Sequence, residues 1–308
     1  MIVIACPGQG SQTPGFLADW LDEPEARSFL ELASEHAGVD LIQHGTQSDA
    51  DAIRDTQVAQ PLIVAASLLA WQSLSRRVSL DTVGVAGHSV GEFAAASAAG
   101  VLSNADALTL VGVRGRAMAD AATRAQTGMS AVVGGSEDDV LAKIIEHGLT
   151  PANRNGGGQI VAAGSLEALG ALAADAPRGA RVIALQVAGA FHTEYMRDAI
   201  PALAQAADQV TVSEPTHPLW TNADGSLVSS GKRYLELLVS QVANPVRWDA
   251  CMAGFLEHGI TGLIELTPAG ALTGIAKRAL KGVPTVTVKS PTDLESAAEL
   301  ITSAQATA

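Results

Sequence analysis

Val83-Gly84-Val85-Ala86-Gly87-His88-Ser89-Val90-Gly91-Glu92 is the stretch on which the fold turns. An apolar run ends in Gly-x-Ser-x-Gly, and an alanine-rich segment follows over residues 92–99 before Gly100 stops it. Read as strand, turn and helix, this is a nucleophile elbow. The serine occupies a turn so tight that its flanking positions must be small, and its hydroxyl is lifted clear of the sheet edge. The bare pattern is weak, because a glycine-rich chain produces it by chance, and a serine on a structural turn would read the same. The strand before it and the helix after it favour Ser89 as a nucleophile, with the Val90 N–H pointing into the same space.

Outward from the elbow, the chain alternates short apolar runs with helical patterns, as βαβ units do. Residues 2–6 read as a buried strand running into Pro7-Gly8-Gln9-Gly10-Ser11-Gln12. A helix follows Thr56 with Pro61 near its start. Another starts at Ser103, where Asp106 completes a capping arrangement, and runs to about Ala122. Between residues 127 and 188 the texture changes. Strands at 129–133, 150–153, 160–163 and 182–187, with helices at 137–147 and 166–174, give β-α-β-β-α-β, the ferredoxin-like order. The tail returns to α/β, with strands at 218–221, 262–266 and 283–288. The expectation is an α/β fold: a hydrolase-like core with a mostly parallel sheet (1–126 and 189–308) and an inserted ferredoxin-like small domain (127–188).

Composition agrees. Of 308 residues 47% are hydrophobic but only 4% aromatic, so the core is built from Ala, Val, Leu and Ile, as suits a parallel sheet under helices. No apolar run reaches membrane-spanning length; the longest, 62–71, is broken by Ser67. Two cysteines, Cys6 and Cys251, provide neither a disulfide framework nor metal spacing, which points to the cytoplasm and to no metal. A net charge of −13 argues against nucleic acid and anionic membranes as partners. Part of the basic complement clusters near the C-terminus at Lys277, Arg278, Lys281 and Lys289, either as a helix end complementing its dipole or as a docking patch for an acidic partner.

A serine hydroxyl needs a base. His88 adjoins Ser89 but projects to the other side of the strand, and reads as a packed elbow residue. His36, His44, His147 and His258 lie in polar helical surroundings. His192 differs: it directly follows the apolar Val187-Ala188-Gly189-Ala190-Phe191, where the inserted segment rejoins the core, and inter-domain clefts favour ligands. An oxyanion formed at the serine needs two amides. Val90 supplies one, and Gln9 in the first glycine loop is the candidate for the other. Arg114 falls on the apolar stripe Ala107, Leu110, Val111, Met118 and Ala121, whereas Arg116 faces outward within reach of Asp120. A guanidinium on an inward face needs an anion, supplied either by an internal carboxylate or by a substrate carboxylate held in a bidentate clamp.

Together these residues resemble the malonyl-CoA:acyl carrier protein transacylases of fatty-acid synthesis. The resemblance runs through Pro7-Gly8-Gln9-Gly10-Ser11-Gln12, Gln60-Pro61, Gly87-His88-Ser89-Val90-Gly91-Glu92 and Arg114-Gly115. It continues through Asn155 with Gln159, Ala190-Phe191-His192, and Gln241 with Asn244-Pro245-Val246-Arg247-Trp248. It implies that Ser89 takes the malonyl group from malonyl-CoA with His192 as base, and that Gln9 and Val90 amides hold the oxyanion. Arg114 would grip the free carboxylate, with Gln9 and Phe191 also against the substrate. The phosphopantetheine thiol of acyl carrier protein would then take the group, without a bound cofactor. In this family a backbone carbonyl orients the histidine, and the matching position is Gln241. Phe191 before the histidine looks like the malonyl-selecting form of that family. A cytoplasmic monomer is expected. The competing readings are a serine esterase or thioesterase on the same elbow, an acyltransferase of polyketide synthesis, and a non-catalytic carrier-protein-binding module.

Overall fold

The computed structural model describes residues 1–306. Its strands are β1 (Ile2–Cys6), β2 (Gly84–Gly87), β3 (Thr127–Gly134), β4 (Thr150–Gly156), β5 (Gln159–Ser165), β6 (Ala180–Ala184), β7 (Val246–Arg247), β8 (Gly262–Glu265) and β9 (Thr285–Thr287). They form two sheets. The first, in the order β2-β1-β8-β9, is parallel throughout. Every residue of β1, β2 and β8 is buried, so helices cover both faces and continuous apolar strands replace alternation. The second sheet has the order β6-β3-β5-β4-β7; its first four strands are antiparallel, with helices Glu137–Glu146 and Leu166–Ala174 in the connections.

An α/β fold with a mainly parallel core sheet is thus what the chain adopts, and the β-α-β-β-α-β order is present in the second sheet. Several details differ from the sequence reading. The fifth strand of the second sheet, β7, comes from beyond the inserted segment and pairs parallel with β4, Asn153 opposite Val246. A two-residue strand has no periodicity to detect. Residues 218–221 are no strand: Leu219 makes one parallel bridge to Val85, and Trp220 one antiparallel bridge to Leu227. β6 stops at Ala184, freeing Leu185 and Val187 to line a cavity below. Arg116 does not pair with Asp120. Its Nη1 donates to the Ala37 carbonyl at 2.9 Å, at the C-terminal end of helix Ala26–Ala37.

Helix Thr56–Ser75 also differs. It is capped by Asp55, whose carboxylate accepts from Gln57 N, so Pro61 lies in the interior rather than the first turn. Its missing N–H removes the bond the Gln57 carbonyl would receive. This helix is 20 residues long and apolar enough to span a membrane, against the expectation that no such stretch exists; 83% of its apolar window is buried inside the protein, as in a core helix. The helix from Ser103 is as read: Ser103 accepts from Asp106 N at 3.0 Å, and helix Asn104–Ala122 carries Arg114 on its buried side.

Candidate active site

Gly87 ends β2 and helix Gly91–Ala98 begins four residues later, so Ser89 sits on the turn between them. The need for small neighbours is quantitative. A Cβ on Gly87 would stand 2.2 Å from Glu92 N, and one on Gly91 would stand 2.2 Å from the Cys6 carbonyl of β1. Ser89 has φ 52°, and among the described residues only Glu25 and His192 (φ 61°) share a positive φ without being glycine. Two of these three strained residues face one another, with Ser89 Oγ 2.7 Å from His192 Nε2. Backbone strain of this kind persists only where surrounding bonds over-determine it. Asn222 is that support: its Oδ1 accepts from Ser89 N at 2.7 Å and its Nδ2 donates to the Gly87 carbonyl at 2.8 Å.

His192 Nδ1 lies 2.9 Å from the main-chain oxygen of Gln241. A carbonyl only accepts, so Nδ1 carries the proton and Nε2 is left with its lone pair toward the serine. Burial, then the nearby Arg114 charge, hold the imidazole pKa at about 3, so the ring is neutral across the physiological range. The stability consequence has a definite sign. Below pH 6.5 the unfolded chain protonates this histidine while the folded chain does not, so its contribution is lost as pH falls from 6.5 toward 3. Replacing His192 by glutamine is expected to flatten the fall in Tm between pH 6.5 and 4.5; an unchanged slope in a Tm-versus-pH series would exclude a buried neutral imidazole.

Arg114 is 1% exposed. It meets no internal carboxylate: Nη1 donates to Gln60 Oε1 at 2.5 Å and Nη2 to Gln241 Oε1 at 2.9 Å. Its guanidinium carbon lies 5.8 Å from the Phe93 ring centroid, and buried Nε has no partner among the described residues. Of the two anions the sequence left open, the internal carboxylate is absent from direct contact. The Glu92 charge favours the protonated guanidinium and is joined to it through Gln241, whose Nε2 donates both to Glu92 and to the Ser89 carbonyl (3.0 Å). Burial pulls the Arg114 pKa down to about 9 and pushes that of Glu92 up to about 7.

These groups open onto a cavity of about 390 Å³ between the two sheets. Gln9, Val90, Arg114, Phe191 and His192 all line it with Ser89. No intramolecular hydrogen bond engages the main-chain N–H of Gln9 or Val90 among the described residues; the Gln9 side chain donates to the Arg54 carbonyl at 3.1 Å. His88 is half-buried and packed at the elbow, with Nε2 2.8 Å from Asn155 Oδ1 and its ring edge-on to Trp248. It also reaches the cavity wall. The far wall is helix Ala271–Ala279, whose first turn is fixed by buried Glu265 accepting from Leu272 N and Thr273 N at 2.9 and 2.7 Å. Lys277, Arg278 and Lys281 are exposed at and beyond the other end of this helix, whereas exposed Lys289 lies at its first end, beside Gly270. Arg278 is partly occupied, donating to the Gly157 and Gly274 carbonyls at 2.9 Å each. No cluster of three or more His, Cys, Asp or Glu able to hold a metal occurs among the described residues.

Sequence reasoning missed Asn222 and the side-chain duties of Gln60, Glu92 and Gln241. Glu92 carried a signal, an acid inside an alanine-rich buried helix. Asn222 carried none, because its partners are 133 and 135 residues away.

The acyl transferase domain family matches residues 3–301. The malonyl CoA-acyl carrier protein transacylase of Mycobacterium tuberculosis is 52% identical over 302 residues, covering 97% of this chain and all of that one. The protein of the same description from Escherichia coli is 32% identical over 302 residues, covering 96% and 97%. The crystal structure of MCAT from Mycobacterium tuberculosis superposes with a TM-score of 0.94 at 52% identity, covering 97% of this chain and 99% of that one. A structure of a type II PKS acyl-carrier protein in complex with its malonyl-transacylase matches with a TM-score of 0.89 at 29% identity, covering 97% and 99%. The chain belongs to the acyl transferase domain family and, within it, to the malonyl CoA-acyl carrier protein transacylases.

Proposed function

We propose that this enzyme moves the malonyl group of malonyl-CoA onto the phosphopantetheine thiol of acyl carrier protein through a malonyl-Ser89 ester, supplying fatty-acid elongation. The observation that carries this reading is the conjunction of a 2.7 Å Ser89–His192 contact with a buried arginine bearing an unpartnered Nε in one cavity. The first makes an acyl acceptor; the second fits an acyl group that ends in a carboxylate.

Ser89 Oγ attacks the thioester carbonyl while its proton passes to His192 Nε2. The carbonyl oxygen becomes an oxyanion, for which the N–H groups of Gln9 and Val90 are the donors. Collapse breaks the C–S bond, and His192 returns the proton to the departing CoA sulfur. The carrier-protein thiol then gives its proton to His192, its sulfur attacks the Ser89 ester, and Ser89 Oγ recovers the proton on leaving. The Gln241 carbonyl keeps the imidazole in the tautomer that both halves require. Gln9 and Phe191 border the acyl group. No bound cofactor enters, and the chain is taken as a cytoplasmic monomer.

A serine thioesterase would use the same elbow but admit water. Malonyl-CoA added to the purified enzyme is therefore expected to leave one malonyl group on Ser89 that persists for minutes by mass spectrometry and leaves on adding holo carrier protein. Rapid release of free malonate without carrier protein would favour hydrolysis and end this reading.

For the carrier protein we infer docking at Lys277, Arg278, Lys281 and Lys289, supported by their exposure beside the helix that walls the cavity on a chain of net charge −13. Reversing Lys277, Lys281 and Lys289 to glutamate is expected to raise the carrier-protein KM about tenfold at low salt and to leave malonyl loading unchanged. A KM unmoved by either the substitutions or salt would place docking elsewhere.

A further inference from the structure

Gln241 is where three parts of the site meet. Its main-chain oxygen receives His192 Nδ1, its Oε1 receives Arg114 Nη2, and its Nε2 donates to the Ser89 carbonyl and to Glu92. Arg114 offers only donors and the Ser89 carbonyl only an acceptor, so the amide satisfies all of them in one orientation. What anchors its far side is a carboxylate 1% exposed, with no cation in salt-bridge contact among the described residues. The other oxygen of Glu92 accepts from Asn222 N at 2.8 Å and from Tyr234 OH at 3.3 Å. A buried carboxyl held only by neutral donors costs more than an apolar side chain of equal volume, and stability alone does not account for it.

We propose that Glu92 is a positioning residue for acyl selection: by accepting from the Gln241 amide it holds that side chain against Arg114 and keeps the guanidinium turned toward the acyl cavity. The inference deepens the malonyl-transfer reading and rests on it. Gln241 reaches His192 through its main chain, which the turn at Gln241–Ala243 fixes, and reaches Arg114 through its side chain. Glu92 therefore governs the clamp for the carboxylate more than it governs the base.

The test is single-turnover loading of Ser89 from malonyl-CoA and from acetyl-CoA. Glu92→Asp keeps the charge but withdraws it by one methylene. Glu92→Gln keeps the reach but sets an amide NH2 donor against either the Gln241 Nε2 donor or the Asn222 N–H. Both are expected to raise the malonyl-CoA concentration for half-maximal loading about tenfold while changing acetyl loading less than about threefold, and to add nothing on an Arg114→Ala background. Equal losses for the two acyl groups, additivity with Arg114→Ala, or tighter malonyl binding in Glu92→Gln (the mark of mere charge balance) would overturn the proposal. If these variants do not fold, Gln241→Met removes the amide that joins Glu92 to Arg114 with the main-chain carbonyl intact, and an unselective loss there overturns the proposal. A parent enzyme that takes no malonyl on Ser89 would instead defeat the transfer reading beneath it.

Discussion

Ser89→Ala abolishes the covalent malonyl-enzyme and lowers malonyl transfer by about four orders of magnitude or more, the scale seen when a nucleophile is deleted from a site that acts as a unit. The cost should fall on chemistry alone. The Ser89 side chain has one polar contact, the 2.7 Å bond to His192, and alanine at φ 52° carries much the same backbone strain as serine there. The elbow itself is held by main-chain and Asn222 contacts that the substitution leaves alone. The variant should therefore keep its Tm within a few degrees and still bind malonyl-CoA, because Arg114 and the cavity are untouched. His192→Ala makes the companion case: the nucleophile stays but its proton has no acceptor, and loading slows about a thousandfold without losing its site of attachment. Malonyl label persisting in the Ser89→Ala protein, mapped by peptide mass spectrometry to any residue, would defeat the serine mechanism. A collapse in Tm would mean that Ser89 has a structural weight the contacts do not show.

The elbow was legible in the sequence because it is local: its strand, tight turn and helix occupy consecutive residues, and each has a residue-type requirement. The same holds for the Ser103 cap and for the helix that carries Arg114. Arg114 itself was legible because helical periodicity places a charge on an apolar stripe, a contradiction visible in one dimension. What surrounds it was not. Gln60 and Gln241 lie 54 and 127 positions away and are neutral, so nothing local distinguishes them from surface glutamines. Of the two carboxylates the sequence allowed, the internal one is absent from direct contact, and two amide oxygens flank the guanidinium. Pro61 and residues 218–221 misread for the opposite reason. Local rules favoured a helix start and a strand, and tertiary packing overrode both, burying Pro61 inside a core helix and leaving Leu219 one bridge to β2.

The strain at Ser89 and His192 also says how the site is assembled. Both positive-φ residues sit where a main-chain segment from one part of the chain is pinned by a side chain or carbonyl from another: Asn222 on Ser89 N, and Gln241 O on the His192 ring. The Ser89–His192 contact is thus built from segments 103 residues apart, held by contacts from a third region, residues 222–241. Loss of Asn222 would release the elbow rather than remove a reacting group, which is the difference between a supporting residue and a catalytic one.

Arg114→Ala is expected to invert acyl preference. For malonyl-CoA, kcat/KM should fall by about two to three orders of magnitude, the worth of a buried, charge-assisted pair with a carboxylate; for acetyl-CoA it should fall far less or rise. The asymmetry follows from the partners the protein gives Arg114. Its two amide partners are neutral and its Nε is unpartnered, so the buried cation is under-compensated and gains most when an anion enters. Acetyl brings no anion and meets only the desolvation cost of the guanidinium, which alanine removes. Arg114→Lys separates charge from geometry: a point charge on a flexible stem cannot bond Gln60, Gln241 and a carboxylate as a planar fork does, so malonyl transfer should stay at least about tenfold below the parent. Because alanine also strands the oxygens of Gln60 and Gln241 and leaves Glu92 without its nearest cation, some loss of Tm is expected, and the ratio of malonyl to acetyl kcat/KM, measured with carrier protein as acceptor, is the quantity free of it. Equal losses for the two substrates would mean that the arginine braces the site and does not read the acyl group.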